Sequence, residues 1–410
     1  MNRKDAITLD RKDPFAKKRQ EFSIPKGMIY LDGNSLGVLP KAAVKRVQLA
    51  VEVEWGRDLI TSWNTHGWFN LPRVIGDKIA KVIGAVPGSV IVADTISVNL
   101  FKVLSAAVQK RHERKIILSD SGNFPSDLYV AQGLTLFMAD GHYLKVVEPE
   151  DVLGAITEEV GVVMVTEVDY RSARRHDMKA ITDKAHAMGA LVVWDLAHSA
   201  GAVAGRLMEV DADFAIGCTY KYLNGGPGAP AFVFVHPRLQ NEVMPALVGW
   251  WGHARPFAFS EAYAPAPGVT RFQCGTQPML NMVALDAAMD VYKGVNMERL
   301  HGKGKKLCAL FAKLVEERCG KFGISVHGEQ NWDGRGSHVC LAHDQAYAVM
   351  QALISRKVVG DFRAPNLMRF GFTPLYVSYA DVYDTVEHLH EVLSKKLWNK
   401  PKFKAKAAVT

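Results

Sequence analysis

Two stretches of the sequence combine residue types suited to chemistry on an amino acid. DLAHSAG (195–201) begins with a carboxylate, Asp195, and CTYKYLNGGPG (218–228) holds Lys221 between two tyrosines. A lysine on a constrained, glycine-rich loop can form a Schiff base with a carbonyl and afterwards act as a base. A carboxylate can keep a pyridine nitrogen protonated, which makes the ring an electron sink. Together the two stretches predict an enzyme that uses pyridoxal 5′-phosphate (PLP).

Each of these residues also has an ordinary structural explanation. An Asp after a buried strand is often a helix N-cap, and a Lys beside tyrosines is often a surface residue. The combination is more specific than either residue alone: Asp195, an Ala-His pair directly after Leu196, then Lys221 between tyrosines before a Gly-rich loop. We therefore interpret Asp195 and Lys221 as cofactor residues.

The elements that position these residues follow an α/β pattern. Apolar runs separated by helical patterns predict buried strands of a mostly parallel sheet at 116–120, 162–168, 191–195 and 231–237. Before the third run, a helix from Ile181 is expected to end at Gly189. Ligands bind at the carboxyl ends of such strands, which makes Asp120, Glu167 and Asp195 site candidates by position.

The chain is long enough for more than one domain. We expect an N-terminal segment (1–45) packed on the small domain, a large PLP-binding domain (46–281), a smaller α+β C-terminal domain (282–400) and a basic tail (401–410). Strands are predicted at 337–343 and 367–372, and a last helix at 381–398. The predicted fold class is α/β, with a large, mostly parallel sheet, and the motifs around Asp195 and Lys221 resemble those of PLP-dependent transferases of fold type I.

Composition narrows the classes of function. The net charge of +8 comes from Lys and Arg spread along the 410 residues, densest in a C-terminal end expected to be solvated and frayed, so we expect no nucleic-acid partner. The five cysteines form no CxxC pair, which argues against a metal site and a disulfide framework and favours a reducing cytoplasm. Neither a signal peptide nor a membrane span is expected.

The sequence resembles the kynureninases nearly end to end. The markers are YLDGNSLG (30–37), FPSD (124–127), DLAH (195–198), TYKYLNGGPG (219–228), LVGWWGH (247–253) and NLMRFGFTPLYVSYADVY (366–383). DLAH and the lysine segment are shared with related desulfurases and transaminases, whereas the other motifs are narrower. The lysine motif has Thr219 where the family commonly has serine, a change that keeps the hydroxyl.

The resemblance implies a role for each matching position. The start of the helical stretch at 94–100 would bind the PLP phosphate. Lys221 and Tyr220 would be catalytic together with Asp195, and His198 would contact the cofactor without transferring a proton. The implied cofactor-binding residues are Thr95, Ile96, Ser97, Phe124, Asp127, Thr166, Asp195, His198, Tyr220, Lys221, Trp250 and Thr276.

The resemblance also implies a homodimer with a shared site. Trp250 and Thr276 would reach the cofactor phosphate of the neighbouring subunit. Arg369 would bind the substrate α-carboxylate through a bidentate pair. The remaining implied substrate residues are Asn34, Ser35, Trp63 and His66.

The implied reaction is hydrolysis of L-kynurenine to anthranilate and L-alanine in tryptophan catabolism. The main alternative is a cysteine desulfurase or another class V PLP enzyme, and a second is an inactive binding module. A desulfurase needs a mobile cysteine, whereas Cys340 lies inside an apolar run. Thr276 stands where family members that favour 3-hydroxykynurenine carry asparagine, so L-kynurenine is the expected substrate.

Overall fold

The protein is described by a computed structural model over residues 1–329 and 331–406. Its strands are β1 Ile29–Tyr30, β2 Val90–Val92, β3 Ile116–Asp120, β4 Tyr143–Val147, β5 Val160–Thr166, β6 Leu191–Asp195, β7 Phe214–Gly217, β8 Phe232–Val235, β9 Ser325–His327, β10 His338–Ala342, β11 Val358–Val359, β12 Asp361–Arg363 and β13 Leu367–Gly371. Its α-helices are α1 Arg3–Lys12, α2 Lys41–Leu49, α3 Ser62–Thr65, α4 Leu71–Val82, α5 Ile96–Lys110, α6 Pro125–Met138, α7 Val152–Ala155, α8 Met178–Ala187, α9 Met279–Met289, α10 Met297–Cys319, α11 Ala346–Ile354, α12 Tyr379–Ser394 and α13 Pro401–Lys404.

A seven-stranded sheet forms the centre of the fold, in the order β2-β8-β7-β6-β5-β3-β4. The strands from β3 to β7 run parallel, and β8 is antiparallel to both of its neighbours. The predicted strands 116–120 and 191–195 are confirmed to the residue, while the predicted run 162–168 begins and ends two residues too late. Thr166 pairs with Asp195, so the carboxyl ends of β5 and β6 lie side by side.

Helices cover both faces of this sheet. Alternate residues of β6 enter different hydrophobic clusters: Val192 and Trp194 belong to one cluster, and Leu191 and Val193 to the other. All four are buried, as the continuous apolar run of the sequence predicts for a strand covered on both faces. Leu100 of α5 packs in the second cluster, which places the helix that begins at Ile96 directly on the sheet.

A second, antiparallel sheet lies in the C-terminal part of the chain, in the order β12-β13-β10-β9. The N-terminal segment contacts this part in several places. β1 pairs with β11, and the carboxylate of Asp10 accepts hydrogen bonds from the backbone N–H groups of Tyr379 and Ala380 at 2.7 and 3.0 Å. Arg19 forms an ion pair with Asp381 at 2.5 Å. These contacts attach the first residues of the chain to the start of α12.

The described residues bear on three of the sequence expectations. The expected boundaries after residues 45 and 281 fall inside α2 and α9, where a division would cut a continuous helix. The division into domains therefore stays a proposal. The expected frayed end is wrong for residues 401–404, which form α13 and bury Phe403; residues 407–410 of the expected tail lie outside the described residues. Among the described residues, no helix has the length and apolar character needed to cross a membrane.

Candidate active site

A cavity of about 290 Å³ lies at the carboxyl ends of β5 and β6. Its walls come from the large sheet, the loop that carries Lys221, the N-terminal loop 31–37 and the strands β12 and β13. The predicted residues that line it are Asn34, Ser35, Ile96, Ser97, Phe124, Asp127, Thr166, Asp195, His198, Tyr220, Lys221 and Arg369. Most of the residues singled out in the sequence are therefore brought together in one place.

Lys221 points into this cavity from the loop that follows β7. Its Nζ lies 3.0 Å from Nε2 of His198. Burial, followed by the charge of Lys221, lowers the pKa of His198 well below its usual value, so the imidazole is neutral. A neutral Nε2 accepts a hydrogen bond from the lysine. This contact was not expected from the sequence, and it orients the lysine amine.

Two buried carboxyl groups, Asp127 and Asp195, form the floor of the cavity. Asp195 ends β6, and its Oδ1 accepts a hydrogen bond from the backbone N–H of Ala197 at 2.7 Å. Burial and then the neighbouring charge of Asp195 raise the pKa of Asp127 well above its usual value. Burial also raises the pKa of Asp195, whereas the charge of Lys221 opposes that shift, so the pair holds a proton more readily than two exposed carboxylates would. The Oδ2 atom of Asp127 is buried without a hydrogen-bond partner.

The N-terminus of α5 forms one end of the cavity. Ile96 and Ser97 line the cavity at the first helical positions, where backbone N–H groups are free to bind an anion. Thr95 does not line it: it is the N-cap, and its hydroxyl accepts a hydrogen bond from the N–H of Val98 at 3.4 Å. Thr95 as a cofactor contact therefore stays a prediction, since the hydroxyl of Thr95 caps the helix.

Aromatic side chains form the opposite wall. Phe124 is the N-cap residue of α6, and its ring packs edge-on against Tyr170 with the ring centroids 5.1 Å apart. The Nζ of Lys221 lies 5.9 Å from the ring centroids of both Phe124 and Tyr220. Burial raises the pKa of Tyr220, which keeps its hydroxyl protonated. The lysine amine therefore lies near both aromatic rings.

Arg369 of β13 lies at the far side of the cavity among acceptors from several segments. It is directly opposite Asp361 in the paired strands, and its Nε donates to Asp361 Oδ1 at 2.9 Å. Its Nη2 donates to Asp361 and, at 2.8 Å, to the hydroxyl of Ser35. With its amide oxygen turned toward the guanidinium, Asn34 accepts from Nε at 2.8 Å. The guanidinium of Arg369 is therefore already hydrogen-bonded to groups of the protein, which the sequence did not indicate.

Four predicted residues lie away from this cavity. Trp63, Trp250 and Thr276 line a different, surface cavity of the same chain. His66 forms hydrogen-bonded contacts with Asp58 at 2.8 Å and lines neither cavity. The prediction that Trp63 and His66 contact the substrate therefore stays a prediction: α3 lies away from this cavity, and the ring of Trp63 packs against Trp251.

Position at a strand end did not by itself identify site residues. Asp120 contacts Nε2 of His176 at 2.9 Å and lies behind the cavity, and Glu167 lines a separate groove. Conversely, the sequence analysis missed lining residues: Ser126, Val168, Tyr170, Ala197, Cys218 and Arg363. Ser126 lies inside FPSD and Ala197 inside DLAH, so these two motifs could have indicated both residues. Arg363 lies on a three-residue strand that no periodicity reveals.

The residues present fit PLP. The free N–H groups at the start of α5 suit its phosphate, and the floor formed by Asp195 and Asp127 suits a protonated ring nitrogen. Phe124 offers a ring face, and the lysine amine lies across the cavity from it. Arg369 and its neighbours suit a substrate carboxylate next to the cofactor. Fold and site together define the class: a PLP-dependent enzyme of fold type I.

Comparison with known proteins narrows this class to one family. The family model described as the kynureninase C-terminal domain matches residues 300–389. The chain is 48% identical to a kynureninase of Burkholderia pseudomallei (strain 1106a) and 47% identical to one of Pseudomonas fluorescens, each over 100% of this chain and 99% of the relative. The chain belongs to the kynureninase family.

Solved structures share the fold at much lower identity. A cysteine desulfurase from Thermococcus onnurineus NA1, solved in its apo form, aligns with a TM-score of 0.77 at 18% identity, over 93% of this chain and 98% of that one. A C-DES mutant with glycine covalently linked to its PLP cofactor aligns with a TM-score of 0.79 at 14% identity, over 91% and 99%. These similarities confirm the predicted fold class.

Proposed function

We propose that this chain hydrolyses L-kynurenine to anthranilate and L-alanine with PLP as its cofactor. The observation that carries the proposal is one cavity in which Lys221, Asp195 and Arg369 meet, in a chain that belongs to the kynureninase family. When bound, PLP withdraws electrons from the substrate α-carbon and later accepts those left on Cβ as the bond to the γ-carbonyl breaks. The remaining steps depend on the side chains of this chain.

Each side chain of the cavity has a task in that reaction. Lys221 carries the cofactor and, once the substrate amine has replaced it, removes the α-proton, with His198 orienting its amine at 3.0 Å. Asp195, next to Asp127, would hold the proton on the pyridine nitrogen of bound PLP. Tyr220 stays protonated and is placed to donate a proton as the substrate bond is cleaved. Water adds to the γ-carbonyl of the substrate.

A desulfurase-like activity is the alternative that the shared fold raises. Desulfuration needs an exposed, ionisable cysteine near the substrate. Cys340 is fully buried in β10, and burial raises its pKa to about 12, so it cannot act as this nucleophile. Cys218 lines the cavity but is buried with a raised pKa as well, first because of burial. The cavity therefore favours hydrolysis of a carbon–carbon bond.

The direct test is turnover of L-kynurenine by the purified holoenzyme. Anthranilate release is followed by fluorescence and L-alanine is quantified in the same sample. Equimolar products in a PLP-dependent reaction are the expected result. Release of alanine and sulfane sulfur from cysteine, without anthranilate from kynurenine, would support the desulfurase alternative.

A homodimer is part of the proposal. Trp250 is 40% exposed, and with Trp63 and Thr276 it lines an aromatic surface cavity instead of the cavity of its own chain. Large exposed aromatic surfaces mark interaction sites. A second copy that buries this surface would bring Trp250 and Thr276 to the phosphate of its neighbour. Trp250→Ala and Thr276→Ala variants are expected to lose PLP faster on dialysis; sedimentation that shows a fully active monomer would refute the shared site.

We also propose the cytoplasm as the compartment and L-kynurenine as the preferred substrate over 3-hydroxykynurenine. All five cysteines are free, which suits a reducing compartment. Thr276 offers a shorter side chain than asparagine to a ring hydroxyl, so the hydroxyl gains little here and must be desolvated. The preference is measured as kcat/KM for both substrates in one buffer, and a higher value for 3-hydroxykynurenine would contradict it.

A further inference from the structure

The hydrogen bonds of Arg369 leave little of its guanidinium for a substrate. An arginine has five N–H donors. Nε donates to Asp361 at 2.9 Å, the two protons of Nη2 go to Asp361 and to Ser35 at 2.8 Å, and Nη1 donates to the carbonyl of Tyr170 at 3.0 Å. Four donors thus have protein acceptors, and one proton on Nη1 remains. Arg369 alone cannot offer two parallel N–H groups to a carboxylate.

A second guanidinium lies in the same wall of the cavity. Arg363 and Asp361 are two residues apart on β12, so both side chains point to the same side of the strand. The Nη2 of Arg363 donates to Oδ2 of Asp361 at 2.6 Å, next to the contact that Arg369 makes with the same oxygen. Arg363 lines the cavity, and its buried Nε has no hydrogen-bond partner among the described residues.

The charges of this group leave an excess positive charge facing the cavity. Burial raises the pKa of Asp361, but the charge of Arg369 and its hydrogen bonds outweigh burial and hold that pKa below its usual value, so Asp361 is ionised. Burial, followed by the charge of Asp361, raises the pKa of Asp32 to about 7, so below that pH one carboxylate stands against two guanidiniums. Asp361 is only 2% exposed and does not line the cavity, whereas the side chain of Arg363 is 34% exposed. Both arginines line the cavity, so the excess charge lies at its wall.

We propose that Arg363 is a second substrate-binding residue, which donates alongside the free Nη1 proton of Arg369 to the α-carboxylate of an amino-acid substrate. Asp361 is the positioning residue that holds the two guanidiniums next to each other. The inference rests on the proposed function only in taking an amino acid as the substrate. A carboxylate held by two arginines is also more selective than one held by a single fork, because an amine without a carboxylate leaves both donors unused.

The test compares two ligands that differ only in the carboxylate. The PLP-loaded enzyme is titrated with L-alanine and with ethylamine, and the change in the visible absorbance of the bound cofactor gives each Kd. In Arg363→Gln we expect the Kd of L-alanine to rise about tenfold, the typical effect of one charged hydrogen bond, while the Kd of ethylamine stays the same. Arg363→Lys keeps the charge but not the planar pair of donors, so its Kd for L-alanine is expected to lie between those of wild type and Arg363→Gln.

Two further variants complete the design. Arg299→Gln is the matched control: it removes the same charge from α10 of the small-domain region at an exposed position outside the cavity, and both Kd values should match wild type. Asp361→Asn should weaken the binding of L-alanine and leave the binding of ethylamine unchanged. It should also raise the KM of kynurenine by a larger factor than it lowers kcat.

The inference is overturned if Arg363→Gln binds L-alanine with the wild-type Kd, or if the substitution weakens the binding of L-alanine and ethylamine equally. The comparison does not require kynurenine hydrolysis. If the wild-type enzyme releases no anthranilate, the proposed function fails, yet a loss confined to L-alanine in Arg363→Gln still supports the two-arginine site.

Discussion

The two walls of the cavity are built in different ways. The cofactor wall consists of residues at the ends of adjacent strands and in one loop, such as Thr166, Asp195 and Lys221, and the register of the sheet fixes their spacing. The substrate wall joins Ser35 to Asp361 and Arg369, which lie 326 and 334 residues further along the chain, and mutual hydrogen bonds hold the three side chains together. The cofactor wall thus depends on the sheet, and the substrate wall on a network of charges.

This difference predicts that damage to each wall has a distinct signature. Changes in the cofactor wall should alter the spectrum of bound PLP together with turnover. Changes in the substrate wall should alter the binding of the substrate and leave that spectrum intact.

The largest effect is expected for Lys221→Ala. No other lysine lines the cavity among the described residues, so the covalent link to PLP and the base at the α-carbon are lost together. We expect the visible band of lysine-bound PLP to vanish and kcat to fall by roughly a thousandfold or more. A variant that keeps the band would place the link at a different lysine.

The next largest effect is expected for Asp195→Asn. An amide cannot stabilise a protonated ring nitrogen by charge, so kcat should fall by about a hundredfold to a thousandfold while PLP still binds. Absorbance of the bound cofactor and anthranilate release are measured on the same preparation. Near-normal turnover with an unchanged spectrum would show that Asp195 does not act on the cofactor.

Arg369→Lys tests the opposite wall. Lysine cannot reproduce the planar donors that bind Asp361, Ser35 and the substrate, so kcat/KM for kynurenine should fall about tenfold to a hundredfold. The PLP spectrum without substrate should match wild type. A changed spectrum would show that the two walls are not independent.

The smallest effect concerns pH and Asp32. Burial and then the charge of Asp361 raise the pKa of Asp32 to about 7, whereas Ser35, Arg369 and Arg363 oppose this shift. Asp32 is therefore protonated below about pH 7, where the substrate wall keeps its excess positive charge, and ionised above it. We expect the KM of kynurenine to rise a few-fold, on the order of one charge interaction, as the pH increases through 7.

Asp32→Asn provides the control for this pH dependence. Asparagine mimics the protonated acid at every pH, so this variant should keep the low KM of the acidic range throughout. A wild-type KM that is flat between about pH 6 and about pH 8, or a variant that retains the rise, would assign the effect elsewhere.

The same difference explains what could be predicted from the sequence. Continuous apolar runs predict buried strands such as 116–120 and 191–195, and once a strand is predicted, the residues at its carboxyl end can be identified from the sequence. Asp361 and Arg363 could not be found this way, because β12 has only three residues, too few for a periodic pattern to show. The positions of Trp63 and His66 outside this cavity could not be foreseen, because a local motif does not indicate which surface its helix packs against.

The N-terminal loop also has a consequence for how the protein is made. The hydroxyl of Ser35 bonds to Asp361, 326 residues further along the chain, and accepts from Arg369, 334 residues away. The backbone N–H of Gly37 donates to the carbonyl of Tyr220 at 2.7 Å, and that of Gly371 donates to Leu31 at 2.7 Å. During synthesis, this loop leaves the ribosome well before Asp361 and Arg369, so the substrate wall can close only after those residues have also been made.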